Sequence, residues 1–165
     1  MFFQGGNIAD TTVGELKLKR RMCRMKEAIY RIYQGLAWLI FGASVLQFFL
    51  AGLGVFRAGG LGPHRTVGDL LILASLVLLI LAGALLFAGS LARMWFGLAA
   101  VLFAFTLLQY FLASDLLQDN ARVLSALHPV NGLLLVALSY ALARERSLFG
   151  IEQPRRARGV GVSQR

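Results

Sequence analysis

Charges are rare in this sequence, and their spacing decides its architecture. Uncharged intervals of 25, 23, 21 and 21 residues separate Arg31 from Arg57, Asp69 from Arg93, Arg93 from Asp115, and Arg122 from Arg144. About 20 apolar residues in an α-helix span the hydrocarbon core of a bilayer. A buried helix of a soluble domain would carry a polar stripe over that length, and these blocks show none. They are rich in Leu, Ala and Phe, too long for barrel strands and without strict alternation. With 58% hydrophobic and 15% charged residues, the chain lacks the polar surface that a soluble domain of its length needs. The expectation is an all-α membrane protein, a four-helix transmembrane bundle with spans near residues 36–56, 67–89, 94–113 and 123–143.

The net charge of +9 raises nucleic acid as a partner, and its placement argues against one. Seven basic residues lie between Lys17 and Arg31, six run from Arg144 to the C-terminus, and Arg93 sits in the short link between spans two and three. Only Arg57, Arg65 and Arg122 fall on the other side, together with the acids Asp69, Asp115 and Asp119. This is the positive-inside asymmetry of a multi-pass protein of the cell membrane with both termini cytoplasmic. No aromatic or motif-bearing basic surface for nucleic acid exists.

The ends are read by composition. Met1–Val13 is polar and expected to be disordered, and the first apolar block comes too late and runs too long for a cleavable signal peptide. From Leu18 a stripe of Leu18, Met22, Met25, Ile29 and Tyr33 runs among Lys and Arg. Two readings fit it: an amphipathic helix on the inner leaflet, drawn to anionic lipid headgroups and leading into span one, or a charged stop-transfer flank. Met22 and Met25 are also alternative translation starts. Residues 1–33 thus form a cytoplasmic lead, 34–143 the membrane domain and 144–165 a basic cytoplasmic tail near acidic headgroups. The one cysteine, Cys23, makes no intrachain disulfide and is either a plain thiol or a juxtamembrane palmitoylation site.

The two halves of the chain repeat. Leu46-Gln47-Phe48-Phe49-Leu50-Ala51 matches Leu108-Gln109-Tyr110-Phe111-Leu112-Ala113 at an offset of 62 residues. His64, Gly68, Leu70, Leu71 and Ser75 match His128, Gly132, Leu134, Leu135 and Ser139 at an offset of 64. Two matches in the same order argue for two tandem parallel helical-hairpin repeats, related by an axis along the membrane normal. Equivalent residues then lie at one depth on opposite sides of that axis.

That brings together the two histidines of the chain, His64 and His128, at the outer starts of spans two and four. Imidazoles from opposite sides suit a planar metal centre with axial ligands, such as haem b. Gly68 and Gly132, one turn further on, leave room for a flat macrocycle, and Arg65 and Arg122 are placed to pair with its propionates. The alternative is structural: interface histidines that cap helices, with Pro129 marking a helix start and the glycines permitting close packing. Two histidines do not make a catalytic zinc site, and Asp69, a third ligand by position, has no counterpart in the repeat. Gln47 and Gln109 fit either a second layer below the histidines or interhelical hydrogen bonds. Ala84, Ala88 and Ala92 form a small-residue row for close helix approach within the bundle or in a homodimer. The glycine-rich loop Arg57–Pro63 lacks the Lys-Ser/Thr of a phosphate loop. No Ser/His/Asp or paired-carboxylate constellation lies within a span, which favours a protein without enzymatic activity.

The segments LQFFLAGLGVF (46–56), HRTVGDLL (64–71) and LHPVNGLLLVALSYALARE (127–145) resemble small bacterial four-span membrane proteins grouped as domain of unknown function 6220. The resemblance runs from about Ile29 to Arg146. It implies a fold and no activity. More remotely, the arrangement is similar to one four-helix half of haem A synthase, a family with haem-ligating histidines at the outer ends of the second and fourth helices. That likeness implies His64 and His128 as haem ligands. The cysteine pair and catalytic glutamate of that family have no match in residues 57–63, so haem A synthesis is not implied. The two functions carried forward are a haem-binding or electron-transfer module of the membrane and a non-catalytic accessory protein with no cofactor.

Overall fold

The computed structural model describes residues 8–56, 60–113, 124 and 126–144. Four helices fill it: α1 (Ile8–Phe56), α2 (Gly62–Phe87), α3 (Arg93–Leu112) and α4 (Leu127–Arg144). Each boundary has a local cause. Pro63 stands in the first turn of α2, where its missing N–H costs no hydrogen bond. The same helix stops at Phe87 because Gly89 takes φ +66°. The Ser90 amide then donates to the Leu85 carbonyl at 2.8 Å and the Gly89 amide to Leu86 at 2.9 Å, a Schellman closure that only glycine enters without strain. This ends α2 two residues short of the span expected to reach residue 89. Helix α4 starts at Leu127, against an expected start near 123.

The helices close into a ring in which α1 and α3 each pack on both α2 and α4. The diagonal pairs are therefore α1 with α3 and α2 with α4. Neighbours run antiparallel: the Nζ of Lys26, early in α1, donates to the Ala88 carbonyl at the end of α2 at 2.7 Å. A cation there also suits the negative end of the α2 dipole. On the α1–α4 side Trp38 and Phe41 of α1 pack on Tyr140 of α4, whose ring also carries the Arg144 guanidinium at 5.4 Å.

The buried side chains lie at matching places in the two hairpins. On α1 and α3 the pairs Ala37 and Ala99, Ile40 and Leu102, and Ser44 and Thr106 are buried, each pair 62 residues apart. On α2 and α4 the same holds for Leu71 and Leu135, Ser75 and Ser139, and Leu78 and Leu142, 64 apart. The buried serine hydroxyls donate back to their own helices, Ser75 to Ile72 at 2.9 Å and Ser139 to Leu135 at 2.7 Å. They add close packing without an unmet donor. Most Leu, Val and Phe side chains between these positions face outward, the reverse of a soluble bundle. Among the described residues three helices are long and apolar enough to cross a bilayer: Gly14–Phe56, Gly62–Phe87 and Arg93–Leu112. The chain is a multi-pass membrane protein. Helix α4 has 18 residues, with His128, Pro129, Asn131 and Arg144 diluting its apolar run.

The N-terminal region departs from its composition. Helix α1 has 49 residues and already begins at Ile8, inside the Met1–Val13 stretch expected to lack order. No proline interrupts the segment, and adding residues to an existing helix is far easier than starting one. The stripe expected from Leu18 divides in two. Ile29 packs against the core and Tyr33 is buried in it, whereas Leu18, Met22 and Met25 are exposed beyond the end of α2. No break separates this basic segment from the rest of α1. Ala84 and Ala92 are exposed, so the small-residue row looks outward while Ser75, Leu78 and Ala82 face the core. The C-terminal tail from residue 145 and the acids Asp115 and Asp119 lie outside the described residues.

Candidate functional site

At the end of the bundle where α1 and α3 finish and α2 and α4 begin, the four helices enclose a cavity of about 490 Å³. That volume lies within the usual range of cofactor pockets, about 300–1,000 Å³. Its lining follows the repeat. From α1 and the α3 end come Ser44 and Thr106, Gln47 and Gln109, Phe48 and Tyr110, and Ala51 and Ala113. From α2 and α4 come His64 and His128, Arg65 and Pro129, Gly68 and Gly132, and Leu71 and Leu135. Asp69 and Ile72 alone among the lining residues lack a lining counterpart. Arg65 and Asp69 thus make the α2 side of the mouth charged, where α4 offers Pro129 and no charge.

The two imidazoles meet across this cavity, with ring centroids 6.0 Å apart and planes inclined by 61°. They come from diagonal helices, so neither is the other's packing neighbour along one interface. Nδ1 of His64 lies 3.1 Å from the Gln47 backbone carbonyl. A carbonyl only accepts, so Nδ1 carries the ring proton and Nε2 keeps its lone pair.

His128 reaches the same tautomer by a different route. The Phe105 carbonyl fixes the Asn131 amide by accepting from its Nδ2 at 2.9 Å. That Nδ2 also donates to Oε1 of Gln109 at 2.6 Å. Nε2 of Gln109 therefore points the other way and donates to Nε2 of His128 at 3.0 Å. The lone pair of His128 is on Nε2 and its proton on Nδ1, a buried atom that faces the Gln109 backbone carbonyl without a full hydrogen bond among the described residues. Oε1 of Gln47 and Oδ1 of Asn131 are likewise buried and unpartnered. Unmet polar atoms at the end of an otherwise oily bundle are unusual enough to need an explanation.

The glycines have a role beside the one expected of them. A Cβ on Gly68 would stand 3.2 Å from Nε2 of Gln47, and one on Gly132 would stand 3.1 Å from Phe48 Cζ and 3.5 Å from Nε2 of Gln109. Gly68 thus makes room for Gln47, and Gly132 makes room for the Phe48 ring, with Gln109 in ordinary contact beside it. Arg122 lies outside the described residues. Asp69 lines the cavity, and among the described residues no group of three or more His, Cys, Asp and Glu side chains could hold a metal ion. Asn131 is the site residue that periodicity alone passes over. Its signal was its failure to repeat, since Val67 occupies the matching position.

One comparison with known proteins speaks to this region. The family model of DUF6220, a family of unknown function, matches residues 47–115. The DUF6220 match is narrower than the Ile29–Arg146 resemblance read from the sequence. It takes in Gln47, His64, Gly68 and Gln109 and stops before His128. Neither a curated protein nor a solved structure matches the chain.

Proposed function

We propose that this protein is a four-span protein of the cell membrane, both termini cytoplasmic, that holds haem b between His64 and His128 in its outer-end cavity. The observation that carries the reading is the 6.0 Å separation of the two rings across a cavity lined by matching residues of both hairpins. Two metal–nitrogen bonds of about 2 Å, plus the ring radius on each side, come to about 6 Å. Nε2 of His64 keeps a free lone pair, that of His128 accepts from the Gln109 amide, and the hydrogen bond from Nδ1 of His64 to a backbone carbonyl is the usual outer-shell support of a ligating imidazole. Arg65 at the mouth is placed to receive a propionate. Bound there, haem supplies one-electron exchange, and the chain's part is to ligate it, orient it and keep it from bulk water.

The tandem-hairpin origin supports this reading, because duplication turns one interface histidine into an opposed pair at one depth. Helix α4 serves as the fourth crossing: its 18 residues cover about 27 Å. Anionic headgroups are the partners of the basic inner ends.

One observation favours a second reading, a non-catalytic accessory protein without cofactor. The Gln109–His128 bond already engages the nitrogen a metal would need, so the polar cluster also works as an interhelical tie. Expression with haem supply and purification in detergent separates the two. A Soret band in the wild type, absent from the double variant His64→Ala/His128→Ala, supports haem binding. A colourless and well-folded wild type defeats it.

A further inference from the structure

We infer that the two histidines are unequal partners for the group between them: His64 anchors it, and His128 is a displaceable ligand held back by Gln109 and Asn131. This rests on the haem reading above and deepens it. In His64 the hydrogen bond takes Nδ1, at 3.1 Å from the Gln47 carbonyl, orients the ring from behind and leaves Nε2 to a metal. In His128 the bonded atom is Nε2 itself, at 3.0 Å from the Gln109 amide, while Nδ1 faces the Gln109 backbone carbonyl without closing a full hydrogen bond among the described residues. Ligation by His64 breaks no hydrogen bond; ligation by His128 breaks one.

Asn131 makes that competition firm. Bonded to the Phe105 carbonyl at 2.9 Å and to Oε1 of Gln109 at 2.6 Å, it prevents the Gln109 amide from turning its oxygen toward the ring. In the first hairpin Val67 stands at the matching position, so no amide there steers Gln47, and its Oε1 is buried without a partner among the described residues. Duplicated histidines beside an unduplicated lock describe a centre with one permanent and one yielding axial position. A small neutral molecule, a diatomic gas being the simplest, is the class of ligand that takes the yielding position. Gln109 and Asn131 are positioning residues, since they act only through His128.

The full chain, loaded with haem, purified in detergent and reduced, is mixed with carbon monoxide and followed spectroscopically. The wild type is expected to bind it, His128→Ala to keep haem and bind it faster, and His64→Ala to lose haem. Gln109→Leu and Asn131→Val release Nε2 of His128 for ligation and slow carbon monoxide binding by up to about tenfold, the equilibrium value of one such hydrogen bond. Asn131→Val installs the residue already present at the matching position of the first hairpin, and keeps the test decisive should Gln109→Leu fail to fold. Unchanged kinetics in the folded lock variants, or equal loss of haem from the two histidine variants, overturns the inequality and leaves haem binding intact. A colourless wild type overturns haem binding itself.

Discussion

The two hairpins, α1–α2 and α3–α4, bury the same residue types at the same depth and differ where they reach the cavity. In the first, His64 bonds a backbone carbonyl and Gln47 keeps an unmet oxygen. In the second, Asn131, Gln109 and His128 form one chain of hydrogen bonds that starts at the Phe105 carbonyl. The difference traces to one position, Val67 against Asn131. It teaches that the shared packing layer and the polar layer above it answer to different constraints. Apolar packing tolerates the same solution twice. A hydrogen-bond chain has a direction, so one added amide fixes every donor and acceptor downstream of it.

Three sets of substitutions break or sharpen that comparison. The largest effect belongs to the shared layer. Leu78→Ala and Leu142→Ala each empty a side chain with 0% exposure, and each is expected to cost about 2–5 kcal/mol. Reversible unfolding in mixed micelles should give values within about 1 kcal/mol of each other, since additive, equivalent sites differ by little. A larger gap means that the two layers are not equivalent.

Next comes the position that sets the hairpins apart. Asn131→Val strips the Phe105 carbonyl and Oε1 of Gln109 of their donor and should cost about 1–3 kcal/mol. Val67→Asn offers the unmet Oε1 of Gln47 a donor, and its cost should be smaller, under about 1 kcal/mol. The same unfolding measurement checks both, and an equal cost for the two would remove Asn131 from the account.

The smallest effect is at the glycines. Gly132→Ala meets an aromatic ring at 3.1 Å and an amide at 3.5 Å, whereas Gly68→Ala meets only the end of the Gln47 side chain at 3.2 Å. Alanine gains about 0.8–1 kcal/mol of helix propensity at either site. Gly68→Ala should therefore be neutral or slightly stabilising, and Gly132→Ala destabilising by up to about 1 kcal/mol. Thermal melts in detergent that reverse this order would show that Phe48 yields more easily than Gln47.

The spacing of Arg31, Arg57, Asp69, Arg93, Asp115, Arg122 and Arg144 by itself determined that the chain forms long apolar helices. The offsets of 62 and 64 put Gln47, Gln109, His64 and His128 at one level. Both are one-dimensional properties: hydropathy over about 20 residues sets a span, and a repeat sets relative depth. The tertiary structure decided the rest. Only the closed ring of contacts makes α2 and α4 diagonal and turns the histidines toward each other. Only the packed side chains show that Gly68 accommodates Gln47 and Gly132 the Phe48 ring. Composition misread residues 8–13, because a helix already started in α1 propagates through polar residues. Which ring nitrogen keeps its lone pair free was illegible in the sequence. It depends on the direction of a hydrogen-bond chain that joins Phe105, Gln109, His128 and Asn131 across two helices, and that direction exists only once the helices have packed.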